Sequence, residues 1–126
     1  MINKETLLFA VDNSGAGIVK VIASMKKAFK NLEVGDFTLV SVKSLRKKRR
    51  IFSKVQKGKV YIGLLVGLSK EKRKIRHSFS KKDNNTVILL TRNHKLIGNR
   101  VYKTLPIELR QKPLIRPLSS TLLKLV

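Results

Sequence analysis

The sequence contains no cysteine and no tryptophan, only three prolines, and seven acidic residues in 126. Each shortage excludes something. Without cysteine there is no disulfide scaffold, no thiolate-ligated zinc and no thiol nucleophile. Two histidines, His77 and His94, are the only conventional imidazole ligands or bases. The longest apolar run, Val60 to Leu68, has nine residues, against the ~20 that a helix needs to cross a bilayer. Met1 to Val11 has no basic leader pattern and leads straight into strand-like sequence, so no cleavable signal is expected at this end. The seven acids, Glu5, Asp12, Glu33, Asp36, Glu71, Asp83 and Glu108, are widely spaced. None is placed to orient a histidine, and Gly63 and Gly67 do not precede a phosphate-loop Lys-Ser/Thr, so catalysis is not expected. Asp12 and Asp36 sit in turn signals and are expected to fix turns rather than bind magnesium. Gly63 and Gly67 are expected to let strands approach or bend.

What is abundant is positive charge. Lysine and arginine number 29, giving a formal net charge of +22. Such a surface repels itself, and a polyanion is the natural partner. The charge is concentrated. Ser44 to Lys59 holds eight basic residues and no acid; Lys70 to Lys82 holds seven and one acid. These two segments carry +14 of the +22.

Between them the chain reads as strands. Thr6 to Val11 is a short apolar run ended by Asp12-Asn13-Ser14-Gly15, a turn built from side chains that bond their own backbone and from glycine. Ile18 to Ala23 is rich in β-branched residues. Val34-Gly35-Asp36 breaks the chain again, and Phe37 to Lys43 follows with partial alternation. Lys57-Gly58 introduces Lys59 to Leu68, and Asp83-Asn84-Asn85 introduces Thr86 to Thr91. Five strands with short connections, and no long amphipathic helices for crossovers, predict a mainly all-β fold, a small closed five-stranded barrel in one domain spanning residues 1–126. The spacing of Met25, Phe29 and Leu32 allows a helical turn or two between Ala23 and Leu32. Pro106 to Arg110 can start a short helix, and Leu118, Leu122 and Val126 can form a terminal amphipathic turn.

The basic segments then become loops that present cations. The expected RNA-binding residues of the first are Lys43, Arg46, Lys47, Lys48, Arg49 and Arg50, extended by Lys54, Lys57 and Lys59. Those of the second are Lys70, Lys72, Arg73, Lys74 and Arg76, with Lys81 and Lys82 on the return. Arginine can fork onto two phosphate oxygens, and lysine acts as a mobile point charge. Ile51 and Phe52 are expected to pack the base of the first loop, with base stacking by Phe52 as the second reading. Nothing identifies base-edge readers, so the expected target is a folded RNA surface read through phosphates and shape. The alternative is a free single-strand nucleic-acid-binding chaperone on an oligonucleotide-binding-like barrel, which would stack bases on strand aromatics. The aromatics here are dispersed, and those on strands are expected to be core residues.

The order of motifs resembles large-subunit ribosomal protein fourteen of the bacterial and organellar type. The matching pieces are Asp12-Asn13-Ser14-Gly15-Ala16, Val34-Gly35-Asp36, Val55-Gln56-Lys57-Gly58-Lys59-Val60, Gly63-Leu64-Leu65-Val66 and Val87-Ile88-Leu89-Leu90 with Asn93. Ile97-Gly98-Asn99-Arg100-Val101-Tyr102 and Glu108-Leu109-Arg110 complete the set. The resemblance implies a five-stranded barrel with short C-terminal helices and a structural role in the large ribosomal subunit, with no cofactor and no metal. It implies contacts with large-subunit rRNA and ribosomal proteins three and nineteen, a bridge to small-subunit rRNA, and docking of a ribosome-silencing factor. Gly98, Asn99, Arg100 and Arg110 would face the subunit interface or that factor. The chain departs from the pattern in a longer, more basic segment from Ser44 to Lys54, in a second loop without glycine from Ile75 to Asn85, and in Lys103-Thr104 where Gly-Pro is usual. Lysine outnumbers arginine 20 to 9, and only four alanines occur. That bias fits an AT-rich genome and favours a mitochondrial ribosome, with plastid and bacterial origins left open.

Overall fold

The computed structural model describes residues 2–25, 32–47, 53–68, 85–102 and 109. All five expected strands are present, with ends within two residues of those read from sequence. They are β1 (Leu7–Ala10), β2 (Ala16–Ser24), β3 (Phe37–Leu45), β4 (Val60–Gly67) and β5 (Thr86–Leu90). Consecutive strands pair antiparallel, and β1 closes the barrel by pairing parallel to β5 through Phe9–Thr86 and Ala10–Val87. The pairing of β2 with β3 is interrupted by three register shifts between Ala16 and Ala23. Such irregularities bend and twist a strand, which lets a sheet of only five strands curl onto itself.

The turn at Val34-Gly35-Asp36 forms as its residues dictate. Gly35 takes a left-handed φ of 92°, and the Glu33 N–H donates to Asp36 Oδ2 at 2.7 Å. Ala23 and Ser24, at the start of the interval where a helical turn is allowed, continue β2. No α-helix occurs among the described residues. Residues 26–31 of that interval, the C-terminal helix that Pro106 can start and the terminal Leu118-Leu122-Val126 turn lie outside the described residues, except Leu109.

Two apolar layers hold the barrel. The interior is filled from every strand by residues including Leu8, Ala10, Val19, Val21, Val40, Val42, Leu65, Val87 and Leu89. Each fully buried side chain of this size contributes about 1.5–3 kcal/mol. Gly63 sits within this interior, where an added Cβ would lie 2.7 Å from a Val87 methyl; it permits the expected close approach. Gly67 sits at a register shift against β5, the expected bend. The second layer lies on the outer face of β4 and β5, where Ile62, Leu64, Val66, Ile88 and Leu90 join Val11 and Leu109. Strand residues alternate in direction, so the unbroken apolar runs of β4 and β5 mean burial on both faces.

The same alternation corrects one expectation. Phe9 is not a core residue. Leu8 and Ala10 point inward, which turns Leu7 and Phe9 outward, and Phe9 is 43% exposed. Tyr61 and Phe37 are half-buried against the inner and outer layers respectively.

Candidate nucleic-acid interface

The interface is organised by the turn after β1. Asp12 is wholly buried there. Its Oδ1 accepts from the Ser14 hydroxyl at 2.7 Å, and its Oδ2 from the Leu89 N–H at 3.1 Å. Burial raises the Asp12 carboxyl above its ordinary value of 3.8, and these hydrogen bonds offset part of the rise. Asp12 therefore fixes a turn, as its sequence context predicts. Gly15 has a φ of 100°, and a Cβ there would meet Ser53 Oγ at 2.7 Å.

This turn pins both ends of the first basic segment. The Arg46 N–H donates to the Gly15 carbonyl at 2.9 Å, and the Lys54 N–H donates to the Ser14 carbonyl at 2.8 Å. The chain that leaves β3 at residue 46 and returns at residue 54 thus starts and ends on two adjacent carbonyls. Further along, the Gly58 N–H donates to the Val42 carbonyl and the Val42 N–H to the Lys59 carbonyl. That ladder continues the β3–β4 pairing to Lys59 and Gly58.

Lys43, Lys47, Lys54, Lys57 and Lys59 are all exposed. None forms an ion pair with a described residue; the ion pair found there joins Glu5 to Lys20, at 4.0 Å. Arg46 behaves differently. It is half-buried, its Nη2 donates to the Ala10 carbonyl at 2.7 Å, and its guanidinium carbon lies 5.0 Å from the Tyr102 ring centroid. The sequence gives no sign of this tie, because arginine amid arginines and lysines reads as one more solvated cation.

The segment 98–102 docks on the same turn. Val101 bridges antiparallel to Asp12. The Asn13 N–H donates to the Arg100 carbonyl at 3.1 Å and the Tyr102 N–H to the Val11 carbonyl at 2.8 Å. Asn13 adds its side chain: Oδ1 accepts from the Arg100 N–H at 3.2 Å, and Nδ2 donates to Asn99 Oδ1 at 2.7 Å. Gly98 is buried beneath this contact, where a Cβ would sit 2.5 Å from Asn13 Oδ1 and 3.0 Å from the Ser14 nitrogen. Its role there is close approach. Asn99 and Arg100 are exposed.

One short turn therefore brings together the stem of the first basic segment and the exposed Asn99-Arg100 pair. Lys48, Arg49, Arg50, Ile51 and Phe52 lie outside the described residues, as do Lys70, Lys72, Arg73, Lys74, Arg76, Lys81, Lys82 and Arg110. β4 runs between the two basic segments, so their flanking residues, Lys59 and Leu68, stand at its opposite ends. His94 occupies a left-handed turn position at φ 60°, with its ring 4.9 Å from that of Phe37. Among the described residues no three His, Asp or Glu side chains gather as a metal site would require.

Comparison with known proteins finds similarity along most of the chain. The sequence profile described as ribosomal protein L14p/L23e matches residues 1–122. The large ribosomal subunit protein uL14 of Aquifex aeolicus (strain VF5) is 34% identical over 112 residues, which cover 89% of this chain and 89% of that protein.

Proposed function

The chain belongs to the ribosomal protein L14p/L23e family, and from that premise we propose that it is a structural constituent of the large ribosomal subunit that binds large-subunit rRNA through its two basic segments. One observation carries the RNA-binding part. Five exposed lysines, at 43, 47, 54, 57 and 59, surround a hydrogen-bonded stem and make no ion pair with a described residue. Stable presentation of cations that no described acid neutralises suits a phosphate backbone. A-form RNA offers phosphates and 2′-hydroxyls to such a surface rather than readable base edges.

If about eight phosphates are neutralised, affinity falls with salt at a log–log slope of roughly −6 to −7. That is a loss of about four decades between about 50 and 200 mM salt. A salt titration of the full chain against large-subunit rRNA tests this, and binding indifferent to salt would refute it. Co-sedimentation separates the structural role from that of a free single-strand chaperone. A structural constituent stays with large subunits through a high-salt wash, whereas a chaperone is released at modest salt.

The family premise extends the proposal to proteins three and nineteen as neighbours, to a bridge with small-subunit rRNA, and to docking of a ribosome-silencing factor. Exposed Asn99 and Arg100 are the described residues assigned to that face, with Gly98 beneath them; Arg110 is assigned to it by resemblance alone. The lysine-rich, alanine-poor composition supports placing the protein in a mitochondrial ribosome, although the relative named above is bacterial.

A further inference from the structure

The turn from Thr91 to Lys95 belongs to neither basic segment, and it carries two cations, Arg92 and Lys95, with no acid. Its backbone is fixed. The Thr91 carbonyl accepts from the His94 N–H at 3.0 Å and from the Lys95 N–H at 2.8 Å, and the Thr91 hydroxyl accepts from the Lys95 N–H at 3.2 Å. His94 takes the left-handed position, and its ring lies 4.9 Å from that of Phe37 at the start of β3. Below the tip, Leu96 bridges antiparallel to Leu90 and packs against the outer apolar layer. Arg92, Asn93 and Lys95 are left exposed, and neither cationic side chain makes an ion pair or hydrogen bond with a described residue. Leu90 pairs with Ile62 in the antiparallel register of β4 and β5. The turn beyond Leu90 therefore stands at the same end of that strand pair as Lys59, which leads into β4.

We propose that the turn 91–95 is a further RNA contact, in which Arg92 and Lys95 meet phosphates and Asn93 meets a phosphate or a 2′-hydroxyl, continuing the footprint of Lys59 across this end of the barrel. The proposal rests on the rRNA-binding function proposed above and adds a site to it. Side-chain chemistry selects the ligand. Every exposed residue of the turn, Thr91, Arg92, Asn93 and Lys95, is polar or cationic. Those four types are the ones that bind phosphate and sugar oxygens. The core of a protein–protein interface is instead depleted in lysine and built on aromatic and apolar anchors, and the one ring of this turn, His94, is turned onto Phe37. A turn already held by its own hydrogen bonds has little left to order on binding. Two cations in five residues read locally as a solvated turn; it is the strand register that brings them to the end of the barrel where Lys59 stands.

The test titrates the full chain against large-subunit rRNA across a range of salt. Arg92→Ala combined with Lys95→Ala is expected to lower the magnitude of the salt slope by roughly 1–2 and to weaken binding roughly 10- to 100-fold at about 0.1 M salt. The melting temperature should stay close to that of the parent, because both side chains are exposed. Arg92→Lys combined with Lys95→Arg keeps both charges and is expected to keep the parent slope. An unchanged slope in the double-alanine protein, or an equal fall in the charge-keeping protein, overturns this contact while salt-dependent binding by the basic segments stands. An unchanged slope together with poorer incorporation into large subunits also overturns it, and assigns the turn to an acidic protein surface instead. Loss of all salt dependence in the parent overturns both the contact and the function on which it rests.

Discussion

Asp12 and Leu89 are 77 residues apart in the chain and are joined by a buried hydrogen bond, from the Leu89 N–H to Asp12 Oδ2 at 3.1 Å. The bond fastens the first turn to the last strand of the barrel. The stem of the first basic segment and the segment 98–102 both hang on that turn, so one buried acid fixes the footing of these two parts of the candidate interface.

Removing that acid should be costly. Asp12→Ala leaves the buried Leu89 N–H and the Ser14 hydroxyl without their acceptor, a loss of about 1–3 kcal/mol for each group that stays unpaired. Asp12→Asn keeps one acceptor oxygen and should be milder. The two substitutions also differ from the parent in pH dependence. Burial raises the Asp12 carboxyl in the folded protein, so the folded state holds this proton more tightly than the unfolded chain does. The ionised carboxylate therefore costs stability above the raised value, and the cost fades as pH falls through it towards 3.8. Urea melts across that range should show the parent gaining on Asp12→Asn as pH falls. A constant gap would mean that Asp12 titrates alike in both states.

Gly98→Ala should destabilise the protein by about 1–3 kcal/mol, because its methyl would press on Asn13 Oδ1 and on backbone nitrogen with no room to yield. Gly58→Ala serves as the contrast. It meets open space and suffers only its φ of 85°, worth about 1–2 kcal/mol. Hydrogen exchange distinguishes the mechanisms: protection of the Arg100 N–H, bonded to Asn13, should fall in Gly98→Ala and persist in Gly58→Ala. Equal protection in both would remove the close-approach role.

Arg46→Lys keeps the charge and loses the forked guanidinium that spans Ala10 and Tyr102. The expected cost is about 1–2 kcal/mol of stability, with little change in the salt dependence of RNA binding. A lower salt slope with an unchanged melting temperature would instead make Arg46 chiefly a phosphate contact.

The exposed lysines should behave in the opposite way. Replacing Lys54, Lys57 and Lys59 together with alanine should lower the magnitude of the salt slope by roughly 2–3 and leave the melting temperature close to that of the parent. An unchanged slope would place the RNA elsewhere on the molecule.

Arg100 is exposed, and its backbone rather than its side chain makes the contacts with Asn13. Arg100→Ala should therefore leave thermal stability within about 0.5 kcal/mol while weakening subunit joining or silencing-factor docking. A large drop in melting temperature with joining intact would mark the residue as structural.

The strands were legible because local chemistry writes them. β-branched runs bounded by Gly, Asp and Asn leave few other options, and the turns at 12–15 and 34–36 formed from the side chains that predict them. The outer apolar layer was also written, in the unbroken runs of β4 and β5, but an apolar run does not say what covers its second face. Phe9 was misplaced because a four-residue strand gives too little alternation to fix which parity points inward. The site was less legible. Exposed lysines follow from charge density, yet the ties of Asn13 to Asn99 and Arg100 span 86 and 87 residues. No local pattern records a contact made at that distance. Arg46 looked like its neighbours because what sets it apart, the Ala10 carbonyl and the Tyr102 ring, belongs to other parts of the chain.

The parallel seam between β1 and β5 has a bearing on biosynthesis. A chain made from its N-terminus exposes Leu8 and Ala10 early, but their closing partner strand, beginning at Thr86, emerges only after both cationic segments have left the exit channel. Until then the nascent protein is an open sheet with an unpaired edge and +14 of charge in hand. Closure is a long-range event and correspondingly slow.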